Sequence, residues 1–153
     1  MHDISELTLG TNAPAHWNEE THSEAEDCEL TDDQCVIDGR DFFIRGCLDI
    51  PIRGTEQSFR WGVWTTLSEE NFCKISEHWD DPQRIELGPH FGWLSTPLPG
   101  YPDTINLKCR VHHQAPGIRP MIEVMECDHP LAMHYRDGIP ADELLAIIHP
   151  YLE

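Results

Sequence analysis

Positive charge is what this chain has least of. Its 153 residues hold ten Lys and Arg against 28 Asp and Glu, a formal net charge of −18. Binding a phosphate backbone or an anionic membrane needs clustered cations, so neither nucleic acid nor a membrane is expected as a partner. No apolar run approaches the roughly 20 residues of a membrane span. The opening stretch, MHDISELTLG, lacks the basic and apolar regions of a signal peptide, so a cytoplasmic protein is expected. Six cysteines, at positions 28, 35, 47, 73, 109 and 127, include no C-x-x-C pair. That argues against a structural zinc site and against a disulfide scaffold, and predicts reduced thiols. Cys47, Cys109 and Cys127 fall in strand-like runs, where a thiol packs as a small hydrophobe. The sequence has no G-x-S-x-G, G-x-G-x-x-G, Walker or H-E-x-x-H motif. No catalytic residue, metal ligand or cofactor is therefore assigned.

What remains is a globular composition, 39% hydrophobic and 8% aromatic, long enough for one domain with a core of its own. Residues 1 to 33 form an acidic lead-in with ten carboxylates and no Lys or Arg; the first cation is Arg40. Its densest part is EETHSEAEDCELTDD, residues 19 to 33. Such a run either stays solvated or steers the chain toward a basic partner. Trp17, in the stretch PAHW, is the one plausible anchor for it. Residues 34 to 153 read as a single domain.

In that domain, Asp38-Gly39 marks a two-residue hairpin between apolar runs. Beyond it, Phe42, Ile44, Leu48 and Ile50 share one strand face, and Phe43, Arg45, Cys47 and Asp49 the other. FRWGVWTTL alternates Trp61, Val63, Thr65 and Leu67 against Gly62, Trp64 and Thr66. One of the two tryptophans is thus expected in the core and the other nearer the surface or under a helix. Ser68-Glu69-Glu70 caps and charges a helix start, Phe72, Ile75 and Trp79 give it an apolar stripe, and Asp80-Asp81-Pro82 ends it. HFGWL is a short strand before a loop stiffened by Pro97, Pro99 and Pro102. INLKCRVHH and RPMIEVMEC form a meander joined through QAPGI. Asp128 can cap a helix with Pro130 in its first turn and Gly138 at its end. The last helix, PADELLAIIHPYL, turns Leu144, Leu145, Ile147 and Ile148 toward the body. Together these predict an α+β domain: a mainly antiparallel sheet of about five strands with two or three helices.

Several of these stretches together resemble the bacterial family catalogued as domain of unknown function 2199. The likeness is carried by DFFIRGCLDIPI, FRWGVWTTLSEENF, HFGWLSTPLPGYPDTINLK, Arg119-Pro120, DHPLA and RDGI, and runs from about Cys35 to Ile139. It implies a shared fold and a cytoplasmic bacterial setting, and carries no activity with it. Typical members begin with a C-x-x-C-G segment that looks like a zinc knuckle. This chain has no such pair, so no zinc role carries over.

The ten histidines show no chelating spacing. His112 and His113 are adjacent on a strand and point to opposite faces, and His129 and His134 are five apart. A site assembled from distant residues such as His90, His112 and His129 is the alternative reading, that of a metal-dependent enzyme or small-ligand protein. Trp, Tyr and Arg are favoured at binding hot spots, which singles out Trp64, Trp93 and Tyr101 together with Arg45, Arg110 and Arg119. The leading expectation is a non-enzymatic, acidic protein-binding protein. Its most concrete form is an immunity protein or antitoxin that occludes a basic toxin, such as a nuclease. Glu19, Glu20, Glu24, Glu26 and Asp27 would steer association, and Trp64, Trp93 and Tyr101 would supply anchors.

Overall fold

A computed structural model describes residues 8–152 of the chain. Asp3, Glu6 and most of MHDISELTLG therefore lie outside the described residues. Among the described residues, eight strands form one sheet: β1 (Thr8–Gly10), β2 (Glu29–Leu30), β3 (Gln34–Ile37), β4 (Asp41–Pro51), β5 (Ser58–Leu67), β6 (His90–Trp93), β7 (Lys108–His112) and β8 (Met121–Val124). Four α-helices accompany it: α1 (Glu19–His22), α2 (Glu69–Glu77), α3 (Pro130–Asp137) and α4 (Ala141–Ile148).

The hairpin forms where Asp38-Gly39 requires it. Both residues have positive φ, 57° and 60°, and β3 runs back antiparallel on β4; because Ile37 pairs with Asp41, Arg40 joins them in a connection one residue longer than the expected two. β4 and β5 pair antiparallel over ten residues, from Phe42↔Leu67 to Pro51↔Ser58. The other edge of β4 is shared, with β3 on its first half and β8 meeting it at Cys47↔Met121. Gly46 makes that approach possible: a Cβ there would stand 2.7 Å from the Ile122 side chain and 2.9 Å from the Pro120 carbonyl oxygen. β7 pairs with β8 and β6 with β7, both antiparallel. The sheet then curls, because Leu94 just past β6 bridges to Thr65 of β5, and Ser95 donates its N–H to the Trp64 carbonyl at 2.7 Å.

The mixed helix-and-sheet content agrees with expectation, but the sheet is larger than about five strands and is not purely antiparallel. β1 lies parallel to β5, and β8 parallel to β4. β1 and β2 are three and two residues long, too short to show any alternation. The four-residue α1 adds a fourth helix for the same reason.

Capping chemistry places the longer helices. Ser68 accepts from the Asn71 N–H and opens α2. α3 is capped by His129, one residue later than the expected Asp128: its Nδ1 accepts from the Leu131 N–H, with Pro130 in the first turn and Gly138 (φ 91°) at the end. In α4 Leu144 and Ile148 are buried, whereas Leu145 is exposed and Ile147 only half-buried, so the expected four-residue face narrows.

The main core gathers Ile44, Leu48, Phe59, Trp61, Val63 and Val111 from the sheet with Ile75, Leu131, Leu144 and Ile148 from the helices. A second, smaller cluster holds Cys35, Ile37, Phe43 and Trp64, with Trp17, Cys28 and Leu30 packed over it. Alternation on β5 is thus kept, and both tryptophans are buried: Trp61 in the main core and Trp64 beneath the N-terminal segment. All six cysteines are free; Cys35 and Cys109 are buried, and Cys127 is exposed beyond the end of β8 rather than within a strand. No helix of the described residues is long and apolar enough to cross a membrane.

Candidate functional site

The acidic run divides in two. Asn18 caps α1 by accepting from the Thr21 N–H, and the Trp17 indole N–H donates to Glu19 Oε2 at 2.7 Å. Glu19, Glu20, Glu24, Glu26 and Asp27 are all exposed, and none forms an ion pair among the described residues. The end of the run faces inward. Asp33 Oδ1 accepts from Arg119 Nε at 2.9 Å, and the Asp32 carbonyl accepts from Arg45 Nη1 at 3.2 Å. Packing of Trp17, Cys28 and Leu30 over the second cluster fixes where the exposed acids stand.

The three aromatic candidates occupy three different settings. Trp64 is fully buried, its indole N–H donating to the Thr11 carbonyl, so in this fold it offers no surface to a partner. Trp93 is 40% exposed on β6 beside the equally exposed Phe91, their rings edge to face at 5.0 Å. Tyr101 is half-buried and joins a relay. Its hydroxyl lies 2.8 Å from His134 Nδ1, while His134 Nε2 lies 3.2 Å from Glu143 Oε2. The carboxylate favours the tautomer with hydrogen on Nε2, leaving Nδ1 to accept from the phenol. Burial, with a smaller push from Glu143, raises the Tyr101 pKa, so the phenol stays protonated and the relay staples the proline-rich loop to α3 and α4.

The histidines do not assemble into the distant trio. His112 Nε2 meets Glu123 Oε1 at 2.7 Å, His129 caps α3, and His90 pairs with His113 instead, Nδ1 to Nε2 at 2.9 Å, in a buried dyad. Burial lowers both members, His113 to about 4, with repulsion from His90 next in weight. One proton lies between two neutral rings. Among the described residues, the only three-donor group within ligand distance is His22, Cys28 and Asp38. His22 Nδ1 accepts the Asn18 N–H at 2.9 Å, and Cys28 Sγ accepts the Asp38 N–H at 3.2 Å. A cation ligated through Nδ1 would displace the first bond. Ligation through Nε2 would move the ring proton to Nδ1, opposite another donor, so the group as built fits a local hydrogen-bond cluster better than a metal.

The cations, by contrast, converge. A cleft of about 580 Å³ is lined by Asp33, Arg60, Trp79, Arg84, Ile118 and Arg119. Arg84 is 3% exposed. Its three guanidinium nitrogens donate to the carbonyls of Gln114, Trp79 and Ile118 at 2.8 to 2.9 Å, and the group stacks on Trp79 at 4.4 Å. Arg60 forms a two-pronged pair with Asp49 at 2.8 and 3.0 Å. Neighbouring Arg45 lies over Trp64, and burial, with repulsion from Arg119 next, lowers its pKa. Of the arginines singled out from sequence, Arg45 and Arg119 belong to this region, while Arg110 of β7 pairs with Glu123 of β8. Arg60 and Arg84 carried no signal beyond their type. Only tertiary folding shows that they meet.

A family model described as "Uncharacterized protein conserved in bacteria (DUF2199)" matches residues 2–139. The chain belongs to the DUF2199 family. The match covers most of the chain and extends the likeness read from Cys35 onward into the acidic lead-in. Three of the stretches that carry the DUF2199 likeness, those holding Arg45, Arg60 and Arg119, contribute arginines of the cleft region. No curated protein and no solved structure matches the chain.

Proposed function

We propose that this DUF2199 chain is a non-enzymatic binding protein whose acidic N-terminal face docks on a basic protein. One observation carries the reading: five carboxylates between Glu19 and Asp27 are exposed, without ion-pair partners among the described residues, on a segment held by Trp17 and Cys28. Fixed like charges on a strongly acidic molecule accelerate encounter with a cationic surface and repel anionic ones. The most concrete version is an immunity protein or antitoxin that fills the cationic cleft of a toxin such as a nuclease. Trp93 and Phe91 on β6 offer exposed aromatic area for holding such a partner once it is steered in.

Pull-down at low ionic strength from the native host, joined to co-expression with toxins encoded nearby, tests this directly. Recovery of a basic protein that high salt releases, and rescue of growth, is the expected result. Neutralising Glu19, Glu20, Glu24, Glu26 and Asp27 together should slow association and flatten its salt dependence while changing dissociation little. An association rate untouched by all five changes at low ionic strength removes the steering role.

A further inference from the structure

The arginine cleft stands apart from the acidic face, and its charge balance is unlike that of the molecule around it. Its lining holds three guanidiniums and one carboxylate, in a chain whose acids outnumber its cations 28 to 10. Arg84 is the telling member. Three carbonyls take its hydrogen bonds, and among the described residues no carboxylate is in salt-bridge contact with it, Asp33 and Asp80 acting on it only from a distance. A buried charge with no carboxylate in direct contact is costly, and its field acts on whatever enters the adjoining space. Arg60 and Arg119 reach the same space with side chains 45% and 40% exposed. Each is tied by its Nε to Asp49 or Asp33, and each keeps an Nη1 that makes no hydrogen bond among the described residues. Ile118, 51% exposed, and the half-buried Trp79 give the cleft an apolar wall beside this charge.

We propose that the cleft binds a small organic oxyanion, a carboxylate or phosphate carried on a flat apolar body. The oxyanion would take the unused guanidinium donors of Arg60 and Arg119 in the field of Arg84, and the body would lie against Ile118 and Trp79. Guanidinium groups suit this task because their planar donors match carboxylate and phosphate oxygens. The inference is independent of the acidic-face reading, since neither the exposed acids nor β6 lines the cleft.

The test is a titration of the full-length protein followed by NMR of arginine Nε–H and backbone signals, with phenyl phosphate, benzoate and inorganic phosphate as probes. Saturable shifts at Arg60, Arg119 and Ile118 are expected with phenyl phosphate or benzoate, with inorganic phosphate weaker. Arg119→Gln and Arg60→Gln should each weaken the organic probe by about tenfold, the worth of one charge-assisted hydrogen bond. Arg110→Gln, on β7 and outside the cleft lining, should leave it unchanged. Equal affinity for inorganic phosphate and phenyl phosphate would overturn the organic-ligand assignment. Shifts that never saturate, or that follow Arg110 as closely as Arg119, would overturn the site. The wild-type titration locates the contact by itself, so the site stands or falls even where a variant fails to fold.

Discussion

The two clusters of buried residues stabilise the molecule by different means. The main core is closed by the curled sheet and three helices, and its twenty buried members come chiefly from β4, β5, β7, β8, α2, α3 and α4. The second has four buried members and is covered by Trp17, Cys28 and Leu30, from a stretch dominated by acids. The first is cooperative packing, which fixes the fold. The second ties a charged segment to a finished sheet, and it explains how a run with so few apolar residues keeps a defined place. A few large side chains suffice when the surface beneath is already built.

Substituting one tryptophan from each cluster should separate these roles most strongly. Trp61→Ala is expected to cost about 3–5 kcal/mol and to lower the midpoint of global urea unfolding accordingly. Trp64→Ala removes the same side chain, but a loosely tied segment can collapse over the gap, which places its cost nearer about 2–3 kcal/mol. Limited proteolysis should show new cleavage between residues 11 and 33 only in the second variant. Equal losses with no local cleavage would mean that the two clusters form one cooperative unit.

Acid is the next lever, and it acts on the body. His113 is held down to about 4, by burial first and then by repulsion from His90, Arg84 and His112, while burial and then Lys74 oppose protonation of His90. In the unfolded chain a histidine takes up its proton near 6.5. Stability from this group is therefore full above about pH 6.5 and is lost as pH falls toward 4, by about 3 kcal/mol. Urea midpoints measured across that range for wild type and His113→Gln should converge at acid pH, because the variant lacks the proton-binding group. Parallel curves would remove the dyad from the acid response.

A smaller effect belongs to the tie itself. Trp17→Ala should cost about 1–2 kcal/mol, since the ring is only half-buried. Faster amide exchange in α1 and β2 with β6 to β8 unchanged is the expected signature, and uniform acceleration would contradict it.

The sequence discloses the local parts of this architecture well. The Asp38-Gly39 turn, the alternation along β4 and β5, and the Ser68 cap of α2 are each set by neighbours within a few residues, and each is found where expected. Partners far along the chain are not disclosed in this way. Nothing near Thr8 announces a parallel pairing with Arg60, and nothing near His90 announces His113 as its hydrogen-bond partner. The arginine cleft is the clearest case, because its members come from a strand, a 3-10 turn and a loop that only the closed fold brings together. The exposed half of the acidic run is legible as a charged surface. Its inward half, where Asp33 meets Arg119, is not.

The weakest expected effect on stability is also the one that separates steering from structure. Glu19, Glu20, Glu24, Glu26 and Asp27 have no ion-pair partner among the described residues, so the fold gains little from their charge. Replacing all five with their amides should change stability by no more than about 0.5 kcal/mol, and in the stabilising direction, because five like charges repel on a molecule already at −18. Glu19 is the member to watch, since its carboxylate accepts the Trp17 indole N–H. Glutamine keeps an acceptor oxygen there, and an alanine at the same position does not. A set with Glu19→Gln should hold the segment in place, while the same set with Glu19→Ala should loosen Trp17 and raise protease cleavage between residues 11 and 33. If the glutamine set loosens the segment equally, the negative charge itself is structural. The acids would then be part of the tie, and the steering role proposed for them would have to be assigned to some other part of the surface.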